Sequence, residues 1–229
     1  MSSRKDWEEW SSGRRDIELS EAAPALGHLP TLFKRRLSQL SRMVLHVGHE
    51  LSQGRHEIKV VFASAYGEIG QQVKLTASLL DSGEIAPSVF SFSVFNAPVA
   101  LLSIAEANTD GNVALSAGAA SFESGLLEAL ARQKHADCGK VLFIAADELV
   151  PMPFRELAPS GNVPYALGLL LRKEPDAGAV GIDLQLNQAR GGQPEGDLPP
   201  SALRFLLWFL GSRREPLTLA QIGYTLTLM

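Results

Sequence analysis

Two runs in this chain, IKVVFAS (58–64) and KVLFIAA (140–146), are largely apolar and rich in β-branched and aromatic residues. A strand built from either must be covered on both faces, which is the signature of a parallel sheet flanked by helices. The segments between and around them fit that demand. TLFKRRLSQLSRMVLHVGHELS (31–52) places Phe33, Leu37, Leu40, Val44, Val47 and Leu51 on one face at helical spacing, with Pro30 and Thr31 suited to its start. A second helix is expected over about 67–80, closed by DSGE. SVFSFSV (88–94) alternates as a strand would, and NAPVALLSIAEAN (96–108) reads as a helix capped by Asn96 with Pro98 in its first turn. VALSA (113–117) reads as a short strand, and FESGLLEALARQK as a helix capped by Ser121 with Glu123 in its first turn.

Helix and strand therefore alternate from 31 to 146, which predicts a layered, mostly parallel sheet with helices on both faces. Beyond it the pattern changes. PYALGLLLR and AVGIDLQLN read as adjacent strands joined by KEPDAG, QARGGQPEGDLPP (188–200) as a surface loop, SALRFLLWFLGS as an apolar helix and YTLTLM as a closing strand. We expect an N-terminal arm over 1–25 and a single domain over 26–229.

Composition narrows the function. Of 229 residues 45% are hydrophobic and 20% charged, enough apolar surface for a substantial core. A net charge of −4 gives no electrostatic case for nucleic-acid binding. The single cysteine, Cys138, excludes an internal disulfide and fits a reducing compartment. With no apolar signal region at the charged N-terminus and no apolar stretch near the roughly 20 residues a membrane span needs, we expect a cytoplasmic protein.

The segment VALSAGAASFESGLLEAL (113–130) passes from strand to helix through Ala117, Gly118, Ala119 and Ala120. Strand-to-helix turns often hold an enzyme's nucleophile, exposed and facing a helix N-terminus. These residues offer none. Ser116 and Ser121 flank the turn without a GxSxG context. HVGHE, with His46 and His49, lacks the HExxH order of a zinc motif, and we expect no metal and no cofactor. SAYGEIG and SAGAASFESG match neither a P-loop nor a dinucleotide fingerprint.

Four blocks in order, LPTLFKRRLSQLSRM, VVFASAYGEIGQQVKLTASL, APSVFSFSVFNAPVALLSIA and ALSAGAASFESGLLEAL, resemble the N-terminal half of β-ketoacyl synthase-like proteins, over about Trp7 to Arg172. The likeness is greatest to short, chain-length-factor-like members of aryl polyene pathways. It implies half of a thiolase-type α/β fold. It also implies that the nucleophilic cysteine of active members falls at or within one residue of Ala119. The histidines of active members lie in a second half for which we expect no room here, and His28, His46, His49, His56 and His135 stand in no matching context. The resemblance further implies a partner interface along Val113, Leu115 and Ala117, and an acyl tunnel approached by Phe90, Phe92 and Phe95. Lys34, Arg35, Arg36 and Arg42 form a basic cluster, either a solvated helix face or a docking patch for a partner or carrier protein. The reading is a catalytically silent partner of an active ketosynthase, touching acyl carrier protein only indirectly. A stand-alone acyltransferase or hydrolase with an unrecognised site, and a homodimeric acyl-binding module, remain alternatives.

Overall fold

A computed structural model describes residues 3–52, 56–135, 139–152, 154–158, 162–174, 180–186, 199–211, 215–219 and 224–228. Its centre is a four-stranded sheet in the order β2 (Asn112–Leu115), β1 (Lys59–Ala63), β3 (Lys140–Asp147), β4 (Tyr165–Arg172). β1 runs parallel to β2 and β3, and β4 closes the sheet antiparallel to β3. The two apolar runs are its two central strands.

Strand alternation sorts their side chains onto two faces. Val61, Ala63, Val141, Phe143 and Ala145 meet Phe122, Leu126 and Ala129 of α7 (Ser121–His135), and Ala202, Leu203 and Phe205 of α8 (Ser201–Leu210). Val60, Phe62, Leu142, Ile144 and Ala146 meet Leu40, Val44 and Leu45 of α3 (Gln39–Ser52), and Val99 and Leu102 of α6 (Ala97–Ala105). Each fully buried phenylalanine in these strands contributes about 1.5–3 kcal/mol of hydrophobic stabilisation. Gly125 lets α7 lie against the sheet: a Cβ there would come 2.6 Å from Ala63 Cβ and from the Phe143 ring. The layered, mostly parallel architecture with helices on both faces is thus present. A second, antiparallel sheet has the order β5 (Ile182–Leu186), β7 (Tyr224–Leu228), β6 (Leu217–Leu219). N-terminal α1 (Arg4–Ser11) is held by a reciprocal Ser3–Asp6 capping box, and Trp10 packs against the α7–α8 face of the core.

The structure corrects five local expectations. The helix over 31–52 is two helices, α2 (Thr31–Lys34) and α3, because the Ser38 hydroxyl accepts the Ser41 N–H at 2.8 Å and starts a new helix. SVFSFSV is not a strand: α5 (Pro87–Phe90) begins with Pro87 in its first turn and a chain of turns follows. PYALGLLLR and AVGIDLQLN do not pair with each other; β4 pairs with β3, and β5 with β7. Asn96 precedes α6 but its side chain makes no capping bond, its backbone being nearly helical already (φ −87°, ψ 2°). Ser121 is itself helical, so its hydroxyl is not a cap on the N–H groups of α7. Cys138 and most of 188–200 lie outside the described residues.

Candidate functional site

β2 delivers the chain to the bare turn. After Leu115 the backbone makes a single tight turn, Gly118–Ala120, before α7 begins. Gly118 is left-handed (φ +55°), a conformation glycine adopts without strain. Ala117, Gly118 and Ala119 are exposed. The turn is held from beneath by Ser121: its hydroxyl accepts the Ala117 N–H at 2.9 Å and lies 2.7 Å from the Gly118 carbonyl and 3.1 Å from that of Ser64. Ser121 is buried with its oxygen engaged by the backbone, and so is no nucleophile. Ser116 is exposed, and its hydroxyl donates to the Ala65 carbonyl at 3.3 Å.

Below the turn, Asp147 at the end of β3 gathers the loop after β1. Its Oδ1 accepts the Ser64 hydroxyl at 2.7 Å and the N–H groups of Ala65 and Tyr66 at 2.8 and 3.1 Å. Its Oδ2 accepts the Tyr165 hydroxyl at 3.0 Å. Burial pushes the Asp147 carboxyl up, against the pull of these donors. Tyr165 is raised well above the usual phenol value by burial and by the neighbouring carboxylate. A carboxylate buried among four donors is a clamp rather than an exposed acid or base.

Two further buried carboxyls, Glu68 and Glu148, lie nearby. Glu68 is 1% exposed, and its Oε1 accepts the hydroxyls of Ser38 and Ser41 at 2.8 and 2.5 Å. Among the described residues its Oε2 is buried without a partner. Burial raises its pKa from 4.5 to about 7. Glu148 accepts the N–H groups of Gly70 and Leu40 at 2.7 and 3.4 Å and is likewise raised by burial. None of Asp147, Glu68 and Glu148 was singled out by motif, because their role depends on which loops the fold brings to them.

The remaining candidates are dispersed. Phe95 packs over Gly67, where a Cβ would come 2.6 Å from its ring, and lies 5.9 Å from the Phe62 ring centroid. Phe92 also packs against the core, whereas Phe90 is 53% exposed. Leu79 and Leu80 of α4 (Ile69–Ser82) and Val89 of α5 are exposed as well. Neither helix buries a residue. Val113 and Leu115 are half-buried, and Leu115 leans on the α7–α8 core. Arg42 Nη2 donates to the Lys34 carbonyl at 2.8 Å, bracing the break between α2 and α3. Arg35 and Arg36 are exposed, and among the described residues no carboxylate pairs with any of the four basic side chains. His49 and His56 hang on Glu106, at the opposite end of β1 from the turn. Five strand residues separate these ends by roughly 17 Å.

Comparison with known proteins gives this geometry a setting. The family profile "Beta-ketoacyl synthase, N-terminal domain" matches residues 7–218. No curated protein matches the chain. Among solved structures, a chain from the ketosynthase ApeO in complex with its chain length factor ApeC, from Xenorhabdus doucetiae, is 27% identical with a TM-score of 0.80. That match covers 99% of this chain and 93% of the other. The ishigamide ketosynthase/chain length factor superposes with a TM-score of 0.61 at 13% identity, over 80% of this chain and 63% of that one. A β-ketoacyl synthase from Burkholderia phymatum STM815 gives 0.54 at 16% identity, over 76% and 53%. The last two likenesses establish the fold alone. With a family match across most of its length and the layered sheet to go with it, this chain is a member of the β-ketoacyl synthase family, built on its N-terminal-domain, thiolase-type fold.

Proposed function

We propose that the chain is a catalytically silent, chain-length-factor-type subunit that pairs with an active β-ketoacyl–acyl carrier protein synthase in the cytoplasm, in a polyene-forming pathway of the aryl polyene kind. The observation that carries the reading is the exposed methyl group of Ala119 at the turn where active relatives of this family hold their cysteine. Beneath it Ser64, Asp147, Tyr165 and Ser121 still build the seat. A helix N-terminus lowers a thiol's pKa when one is present; here there is no thiol to activate.

Two surfaces suit a partner. β2 is the edge of its sheet, and an open edge offers unpaired N–H and C=O groups to another chain. Leu79, Leu80, Val89 and Phe90 present apolar side chains that a soluble monomer ordinarily covers. In this reading Val113, Leu115 and Ala117 line the shared interface and Phe90 approaches the partner's acyl tunnel. Phe92 and Phe95 serve the subunit's own core. Arg35 and Arg36 remain available for docking. The rival acyltransferase or hydrolase reading has little to draw on, since Ser121 is engaged with backbone groups and, among the described residues, no histidine or carboxylate bonds Ser116.

The test is co-expression with the cognate ketosynthase followed by sizing and a condensation assay. A stable heterodimer is expected, with condensation dependent on the partner's cysteine. Ala119→Cys is expected to leave the isolated chain inactive, because a thiol alone lacks the groups that stabilise developing charge. Condensation or acyl transfer by the purified wild-type chain alone refutes the reading.

A further inference from the structure

A cluster of ligating side chains lies away from the vacant turn, where three separate segments meet. His28 lies in the turn closed by the Leu29 N–H on the Leu26 carbonyl; His49 is in the last turn of α3; Glu106 ends α6. One ligand atom from each lies within 4.8 Å of the other two. The His28 and His49 rings stack with centroids 3.6 Å apart and planes 8° from parallel. His49 Nδ1 is 2.8 Å from Glu106 Oε1. We propose that His28, His49 and Glu106 form a binding site for one divalent transition-metal ion of the zinc class, joining the segment before α2 to α3 and α6.

The donor set fits that ion. Two imidazole nitrogens and one carboxylate oxygen suit zinc and its neighbours, whereas calcium and magnesium prefer oxygen alone. Tetrahedral bonds of about 2.0–2.2 Å put ligand atoms roughly 3.4 Å apart. The His49–Glu106 separation of 2.8 Å lies below that figure, so this contact opens by about half an ångström as an ion enters. An imidazole donates in its ring plane, so one ring must turn out of the stack. His28 is exposed and free to do so. The fourth position then faces solvent and takes water.

The surroundings support the ligands as a built site does. Glu106 is 9% exposed, and its Oε2 accepts the Ser52 hydroxyl at 2.8 Å, fixing the carboxylate plane. Its backbone carbonyl lies 2.7 Å from His56 Nδ1, which anchors the end of α6. Among the described residues only two that are not glycine have left-handed backbone: Leu26 (φ +51°), two residues before His28, and Ala107 (φ +50°), immediately after Glu106. Such strain persists where surrounding structure holds a functional geometry in place. The site is at the far end of β1 from Ala119, so the ion is a structural staple and not a participant in acyl chemistry.

The untagged full-length chain, stripped with a chelator, is titrated with ZnCl2, and bound zinc is measured by atomic emission and by the rise in Tm. One zinc per chain and a raised Tm are expected. His28→Ala, at an exposed position, is expected to keep the fold and lose about tenfold or more in zinc affinity, as removal of a ligand or its support does. His135→Ala, an exposed histidine at the end of α7, is the control and is expected to bind as wild type does. Cobalt in place of zinc is expected to give visible absorption bands in wild type that disappear in His28→Ala. A wild-type chain that binds no zinc and shows no Tm change overturns the proposal, as does a His28→Ala chain that binds zinc with undiminished affinity.

Discussion

Glu68 makes the stability of this protein depend on pH in an unusual direction. A buried carboxyl at about 7, against 4.5 in the unfolded chain, keeps its proton on folding over a range where the unfolded state has released it. Stability therefore falls as pH rises from about 4.5 to about 7. It is flat below that window, where both states are protonated, and above it, where both are ionised. The gap corresponds to about 3 kcal/mol, most of which is lost between pH 5 and pH 8. Ser38 and Ser41 donate to the carboxylate and Lys74 favours its charge, while Glu148 opposes it; burial outweighs the favourable contacts. Glu148 and Asp147 are raised in the same direction and steepen the slope. Glu68→Gln keeps an oxygen for the two serine hydroxyls and removes the titration. Its amide meets the same partnerless space as Oε2, at a cost of about 1–3 kcal/mol that does not depend on pH. The diagnostic is the slope. Urea unfolding followed by tryptophan fluorescence is measured at intervals from pH 5 to pH 8. Wild type is expected to lose roughly 2–3 kcal/mol across the range, and Glu68→Gln to lose about that much less. A variant with the wild-type slope would show that Glu68 titrates near its ordinary value and that the reasoning from burial is wrong.

Three further substitutions probe the packing and the proposed interface. Gly125→Ala forces a methyl against Ala63 Cβ and the Phe143 ring, where neither can retreat, and is expected to destabilise by about 1–3 kcal/mol, read as a lowered Tm. Ala114→Pro tests the open edge of β2: the β1 N–H groups of Val60 and Ser64 bond the carbonyls of Gly111 and Leu115, so by alternation the Ala114 N–H points away from β1. The isolated chain is expected to fold with little loss, since proline is tolerated on edges, while its complex with the ketosynthase weakens in a sizing assay. Phe90→Ala, at an exposed ring, is expected to leave Tm nearly unchanged and to lengthen the products of the reconstituted pair; an unchanged product profile removes Phe90 from any length-setting role.

What the sequence displays well is whatever repeats. Val61, Phe62, Val141 and Phe143 sit in runs apolar on both faces, and only a covered sheet satisfies such runs, so the two central strands were legible. The α3 face was legible through its helical period, in Leu40 and Val44. The break at 35–38 was not, because α2 and the turn after it keep Phe33 and Leu37 on the periodic face, while the signal that ends one helix and begins another is a single hydroxyl on Ser38. Alternation misled at 88–94. Phe90, Phe92 and Val94 satisfy a period of two, but Pro87 in the first turn of α5 starts a helical turn, and a chain of turns follows it.

The candidate site divides along the same line. The empty turn could be read from Ala117 to Ala120 because an absence of reactive side chains is a property of the residues themselves. Its support could not, because Asp147 means nothing until β1 and β3 lie side by side and bring Ser64, Ala65 and Tyr66 onto one carboxylate oxygen. The spacing between Ser64 and Asp147 is 83 residues, so no local pattern links them. Yet this network is what keeps the turn in shape. The bonds run from Asp147 to Ser64, from the Ser64 carbonyl to Ser121, and from Ser121 to the Ala117 N–H directly before Gly118. In the reading proposed above, the chain carries a buried, oriented scaffold beneath a turn that offers no nucleophile. A carboxylate buried this deeply is costly unless several donors meet it. The surviving demand on the scaffold is therefore geometric: it fixes the end of the β2 edge and the start of α7, the strand and helix end that the proposed partner would meet.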